Sequence, residues 1–164
     1  MRKTIIGVMG PGNQATDTEI KCAYELGQKI AQQGWVLLTG GRNQGVMEAA
    51  SQGAKSVAGL TLGVLPTVDD SNMSSAVDLP IFTDMGNGRN NINVLSSDMV
   101  VACGMGMGTA SEIALALKNG KSVILLQNPD VSIAFFQSLA EKQVSVADSV
   151  DHAISLIHHL LPKR

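Results

Sequence analysis

Four times along this chain a glycine-rich turn sits between a short apolar segment and a stretch with helical spacing. Residues 4–9 (TIIGVM) end in Gly10-Pro11-Gly12, and residues 17–33 follow with Ile20, Tyr24, Ile30 and Ala31 at helical intervals. Gly34 closes that helix, residues 35–39 (WVLLT) make the next strand, and Gly40-Gly41-Arg42-Asn43-Gln44-Gly45 leads into a helix beginning near Val46. Residues 60–65 (LTLGVL) form a third strand stopped by Pro66, and the polar segment 67–75 is the longest candidate for a mobile connection. A short strand fits 79–82. Gly86 and Gly88 then precede a helix through Asn91 and Leu95, and residues 99–103 (MVVAC) feed Gly104-Met105-Gly106-Met107-Gly108. Thr109 opens a helix reaching Lys118. After Asn119-Gly120 come a strand at 122–126 (SVILL), a helix around 133–139, a weak strand near Val144 and a final helix over 148–161.

Strand and helix alternating over the whole length predict an α/β fold: a doubly wound, mainly parallel sheet with helices on both faces, one domain over residues 1–164. Hydrophobic residues are 45% of the chain but aromatics only 3%, so the core is built from Val, Leu, Ile, Ala and Met, as suits a covered parallel sheet. A net charge of −2, with no Lys/Arg cluster interleaved with aromatics, argues against nucleic acid as a partner. No apolar run approaches bilayer length and no leader pattern is visible, so the expectation is a soluble, cytoplasmic protein with no membrane partner. Cys22 and Cys103 have no metal-ligand spacing, and neither a disulfide framework nor a zinc site is expected.

In such a sheet every strand-to-helix loop emerges at the carboxyl edge, where helix N-termini present free N–H groups and a positive dipole end. Glycines there let the backbone approach an oxyanion closely. The windows 35–47, 85–97 and 99–111 contain no Asp or Glu, although the chain as a whole is slightly acidic, and they hold Arg42 and Arg89. The expectation is an electropositive cleft for a phosphate-bearing small molecule, formed mainly by the Gly40, Gly86 and Gly104 loops. Gly104-x-Gly106-x-Gly108 departs from the dinucleotide fingerprint, and no acid ends the second strand to grip a ribose. Glu112 has two readings: a capping-box partner of Thr109, or a carboxylate facing the ligand, able to stabilise an oxocarbenium ion in N-glycosidic cleavage. Cys103 reads as a small buried hydrophobe, and His152, His158 and His159 as solvent-facing or subunit-contact residues. Met105 and Met107 read as packing against a flat heterocycle or a neighbouring subunit.

Gly40-Gly41 followed by Gly45-Val46-Met47-Glu48, then Gly63-Val64-Leu65-Pro66, Arg89 before a helix, and Gly106-x-Gly108-Thr109-x-x-Glu112 resembles the Rossmann-like LONELY GUY group of cytokinin nucleotide phosphoribohydrolases. That resemblance makes Arg89 and Glu112 a catalytic pair and places phosphate at Gly106, Gly108 and Thr109. The chain departs from the group where Arg89-Asn90 replaces Arg-Lys and Gly104-Met105-Gly106 replaces Pro-Gly-Gly. It more closely resembles the molybdenum cofactor carrier proteins of the same fold, in Gly7-Val8-Met9-Gly10-Pro11-Gly12, Leu37-Leu38-Thr39-Gly40-Gly41-Arg42, and the run from Arg89-Asn90-Asn91-Ile92-Asn93 to Ser97. This implies a homo-oligomer, tetramer or dimer, that binds intact molybdenum cofactor as cargo without transforming it. It implies no independently bound metal, and handover to molybdoenzymes or cofactor-insertion proteins. The expected cofactor-binding set is Gly10, Pro11, Gly12, Gly40, Gly41, Arg42, Arg89, Asn90, Gly104, Met105, Gly106, Met107, Gly108, Thr109 and Glu112.

Overall fold

The computed structural model describes residues 2–162. The apolar runs become strands and the periodic stretches helices, in the order β1 (Ile5–Met9), α1 (Asp17–Gln32), β2 (Val36–Thr39), α2 (Gly45–Ser56), β3 (Thr61–Leu65) and β4 (Leu79–Phe82). A single 3-10 turn at Gly86–Gly88 leads into α3 (Arg89–Ser96), β5 (Met99–Cys103), α4 (Met107–Lys118) and β6 (Val123–Leu126). The chain continues through α5 (Asp130–Ala140), β7 (Val144–Ala147) and α6 (Val150–Leu160).

All neighbouring strands pair in parallel, in the order β4-β3-β2-β1-β5-β6-β7. The chain begins at the centre, with Ile6 of β1 opposite both Leu37 and Met99, and winds outward to β4. It then crosses back to the other side of β1 and winds outward again. Helices α1, α2 and α6 cover one face, where Leu26, Ala50 and Ile157 join Ile6, Val8 and Val101 in one apolar cluster. Helices α3, α4 and α5 cover the other, where Val94, Ile113 and Phe136 join Leu38, Val100 and Leu125. Each fully buried aliphatic contributes about 1.5–3 kcal/mol, and the central strands bury both faces. This is the doubly wound Rossmann-like architecture expected from the alternation.

Local chemistry explains the boundaries. Helix α1 starts at Thr16, whose hydroxyl accepts from the Glu19 N–H while the Glu19 carboxylate accepts from the Thr16 N–H at 2.7 Å, a full capping box. Gly34 ends the same helix at φ +74°. Helices α1 and α2 touch backbone to backbone: a Cβ on Gly27 would lie 2.0 Å from the Ala50 carbonyl oxygen, and one on Gly53 would lie 1.9 Å from that of Tyr24. Only glycine fits at either point.

Three details differ from the sequence reading. The polar connection at 67–75 is tied to the β2–α2 loop, since Asn43 N–H donates to Asn72 O, Ser74 N–H donates to Gly41 O, and Arg42 bridges Met73. Helix α4 begins two residues before Thr109, and α6 begins at Val150, after Ser149 has capped it. Strand β4 is an exposed edge, which is where Pro80 is tolerated within a strand. Among the described residues, no helix is long and apolar enough to cross a membrane.

Candidate functional site

The winding reverses at β1, so the loops after β1 and β5 lead to helices on opposite faces and leave a crevice at the carboxyl edge. There the structure holds a cleft of about 330 Å³, a size within the usual range for small-molecule sites. Gly10, Pro11, Gly12, Gly40, Arg42, Arg89, Asn90, Gly106, Met107, Gly108, Thr109 and Glu112 all line it. Gly41, Gly104 and Met105 lie outside the lining. Gly41 and Gly104 carry the turns behind it at φ +75° and +79°, and Met105 packs against the α3–α4–α5 core.

The glycines of the Gly86-Asn87-Gly88 turn are themselves absent from the lining, which takes up the chain at Arg89 and Asn90 just after them. The turn follows β4, the outermost strand, and its Gly86 N–H donates to Pro66 O after β3. The β1–α1 loop takes its place, adding Asn13 and Gln14 beyond Gly12. Gln44, Met47 and the end of β1 complete the wall. Asn13, Gln14 and Gln44 were within reach of a sequence reading, because each extends a loop already singled out.

Helix α4 presents its N-terminus to the cleft. Its N-cap is Gly106, extended at φ −156°, with no side chain capping the first turn. The first N–H groups therefore have no acceptor within the helix, and they carry the positive end of its dipole. Because the helix starts at Met107, Thr109 and Glu112 lie inside it and form no capping box. The Thr109 hydroxyl is buried without a hydrogen-bond partner, and Glu112 instead accepts from Asn93 Nδ2 at 2.8 Å. Met107 is 95% exposed and stands at the mouth of the cleft.

Across the cleft, α3 supplies Arg89. Its guanidinium lies against the end of β2, where a Cβ on Gly40 would come within 2.9 Å of Nη2. Nη1 donates to Asn90 Oδ1 at 3.0 Å, while Nε is buried without a partner. Asn90 in turn donates to Ser111 Oγ at 2.8 Å, so two side-chain amides, Asn90 and Asn93, bind α3 to α4. Burial lowers the Arg89 pKa, an effect opposed by the nearby Glu112 charge and reinforced by Arg42. Burial pushes Glu112 up to about 7, against the opposing pull of the Asn93 amide and Arg89. Two guanidinium groups and one easily protonated carboxyl leave the lining net positive.

The remaining candidates lie elsewhere. Cys22 and Cys103 are free and buried in the α1-side core. His152 meets Asp148, and the His158 ring lies against Trp35 with centroids 4.7 Å apart and planes tilted by 51°, both histidines being on α6. Among the described residues no three His, Cys, Asp or Glu side chains are grouped to hold a metal ion.

Comparison with known proteins adds a second line of evidence. Residues 3–154 match the SLOG cluster4 family. The chain is similar to the solved structure of the molybdenum cofactor binding protein from the phototrophic bacterium Rippkaea orientalis, at 61% identity and TM-score 0.96 over 99% of both chains. It is also similar to the Moco carrier protein from Chlamydomonas reinhardtii, at 51% identity and TM-score 0.93 over 98% of both chains. An uncharacterized protein from Archaeoglobus fulgidus is 47% identical over 131 residues, which are 80% of this chain and 85% of that one.

Proposed function

The chain belongs to the SLOG cluster4 family, and from that premise we propose that it is a molybdenum cofactor carrier, which binds the intact cofactor as cargo, protects it and hands it on. The observation that carries this reading is the convergence of an uncapped helix N-terminus, Arg42 and Arg89 on one cleft. The cofactor is a pterin bearing a terminal phosphate and a dithiolene that holds oxo-molybdenum, and each part finds a chemical match. The phosphate suits the first N–H groups of α4. The anionic molybdenum end suits a guanidinium, and the dithiolene already supplies the metal's sulfur ligands. The buried, unpartnered Arg89 Nε and Thr109 Oγ1 are hydrogen-bonding positions that a polar ligand can fill.

The phosphoribohydrolase reading, with Arg89 and Glu112 as catalytic pair, is not favoured. The likeness to cofactor-binding proteins at 51–61% identity spans nearly the whole chain, and Asn90 replaces the lysine of the hydrolase motif. Anaerobic titration with molybdenum cofactor, beside an assay for free base from nucleoside monophosphates, separates the two. Saturable binding without base release supports the carrier. Base release abolished in Glu112→Gln would overturn it.

A homo-oligomer in the cytoplasm completes the proposal, with molybdoenzymes or cofactor-insertion proteins as recipients. Val131, Phe135 and Leu139 repeat every four residues along α5 at 77%, 58% and 65% exposed, an apolar stripe suited to a second copy of the chain. Phe135→Glu is expected to shift sedimentation to a smaller species, and an unchanged profile would remove α5 from the interface.

A further inference from the structure

Glu112 is discordant in a cleft for an anion. It lies on α4 at 6% exposed, lines the cleft, and would repel any negative group brought against it in poorly solvated surroundings. Arg89 compensates it only in part: the two charges attract each other, but among the described residues they form no ion pair, and Arg89 directs Nη1 to Asn90 instead. Asn93, fully buried, orients the carboxyl by donating to Oε1 at 2.8 Å. An acceptor carboxyl and a donor guanidinium with a free, buried Nε thus border the same space.

This pairing sorts the parts of the cargo. Phosphate and the molybdenum-bearing dithiolene are anionic and are excluded from Glu112. The pterin ring is neutral, and one edge of it presents two adjacent donors, the 2-amino group and N3–H, followed by the acceptor O4. A carboxylate complements two parallel N–H donors, as it does the fork of an arginine. We propose that Glu112 is the specificity-determining residue for the heterocycle, accepting from the 2-amino group and N3–H of a 2-amino-4-oxopyrimidine edge while Arg89 donates to O4. Asn93 is a positioning residue that holds the carboxyl. The pterin edge then faces the α3–α4 wall, and the phosphate lies toward the start of α4. This assignment rests on the cargo reading above.

The test uses two phosphate-free probes, 6-hydroxymethylpterin and its 2-oxo analogue, in which a carbonyl replaces the 2-amino donor. Both are titrated by calorimetry into the full-length protein and into Glu112→Gln, alongside molybdenum cofactor itself. The wild type is expected to prefer the pterin by about tenfold or more, since a site built around a hydrogen-bonding group rejects the analogue that lacks it. Glu112→Gln, which offers one acceptor and one donor, should bring the two affinities within about twofold. Equal wild-type affinities, a preference that survives in Glu112→Gln, or no binding of either probe at millimolar concentration would overturn the assignment. The wild-type ratio decides the matter even if the variant misfolds. Pterin preference without cofactor binding would remove the cargo reading and leave the edge recognition standing. Cofactor binding without pterin preference would do the reverse.

Discussion

Glu112→Gln should stabilise the unliganded protein, and only above acidic pH. Burial raises the folded-state pKa of Glu112 to about 7 from an ordinary 4.5. Between those values the folded chain keeps a proton that the unfolded chain has released, so stability falls as pH rises from 4.5 to 7 and levels off beyond. At about 1.36 kcal/mol per pH unit, the full effect is about 3 kcal/mol. Glutamine keeps an acceptor for Asn93 but has no charge to desolvate, which removes this penalty while other titrations stay common to both proteins. For a chain of this size the gain at pH 8 corresponds to a rise in Tm of roughly 6–12 °C, and at pH 4.5 the two proteins should melt together. Arg89 on α3 is the charge whose pull on Glu112 opposes the effect of burial. Thermal melts followed by circular dichroism in steps from pH 4.5 to 8.5 make the comparison. A constant offset between the two curves, or no difference at any pH, would refute the reasoning.

Three further substitutions probe the cleft and its support. A Cβ on Gly108 would meet nothing within 4 Å, so Gly108→Asp should leave Tm nearly unchanged while its charge at the start of α4 weakens cofactor binding by about a hundredfold. Unaltered affinity would remove α4 from phosphate binding. Gly40→Ala places its methyl 2.7 Å from Met47 Sδ and 2.9 Å from Arg89 Nη2, both at the ends of flexible chains. The expected cost is about 1 kcal/mol in denaturant melts with a larger, about tenfold, loss of cofactor affinity. Gly53→Ala meets the rigid Tyr24 carbonyl at 1.9 Å, and its unfolding midpoint should drop by the equivalent of about 3 kcal/mol.

The fold was legible because its signals are local. Runs such as Ile5–Met9 and Met99–Cys103 are too short and too β-branched for helices, and each breaks at glycine. Most of the cleft followed from one topological rule, which sends Gly10–Gly12, Gly40, Arg42 and Gly106–Thr109 to the same sheet edge. The errors arose where an outcome depends on position within the sheet. Gly86 and Gly88 look like a phosphate turn, but they follow the edge strand β4 and stop just short of the lining, which takes up the chain at Arg89, and no periodicity reports strand order. The start of α4 was misjudged because Thr109 is a strong N-cap type, while the position was taken by Gly106 in extended backbone. The Asn93–Glu112 bond and the Gly27 and Gly53 contacts depend on how two helices pack, which neither sequence alone determines.

That glycine contact between α1 and α2 reaches beyond packing. The Gly10–Gln14 and Gly40–Gln44 stretches are the lead-ins to those two helices, so locking the helices makes one jaw of the cleft immovable. The opposite jaw, α3 with α4, is held by the Asn90–Ser111 and Asn93–Glu112 side-chain bonds, which can break and re-form without repacking a backbone. The cleft thus has one wall locked backbone to backbone and another tied across by side-chain amides. On the proposed carrier function, a ligand would meet a wall already ordered on the α1–α2 side, and any adjustment of the cleft would fall to the amide-held side.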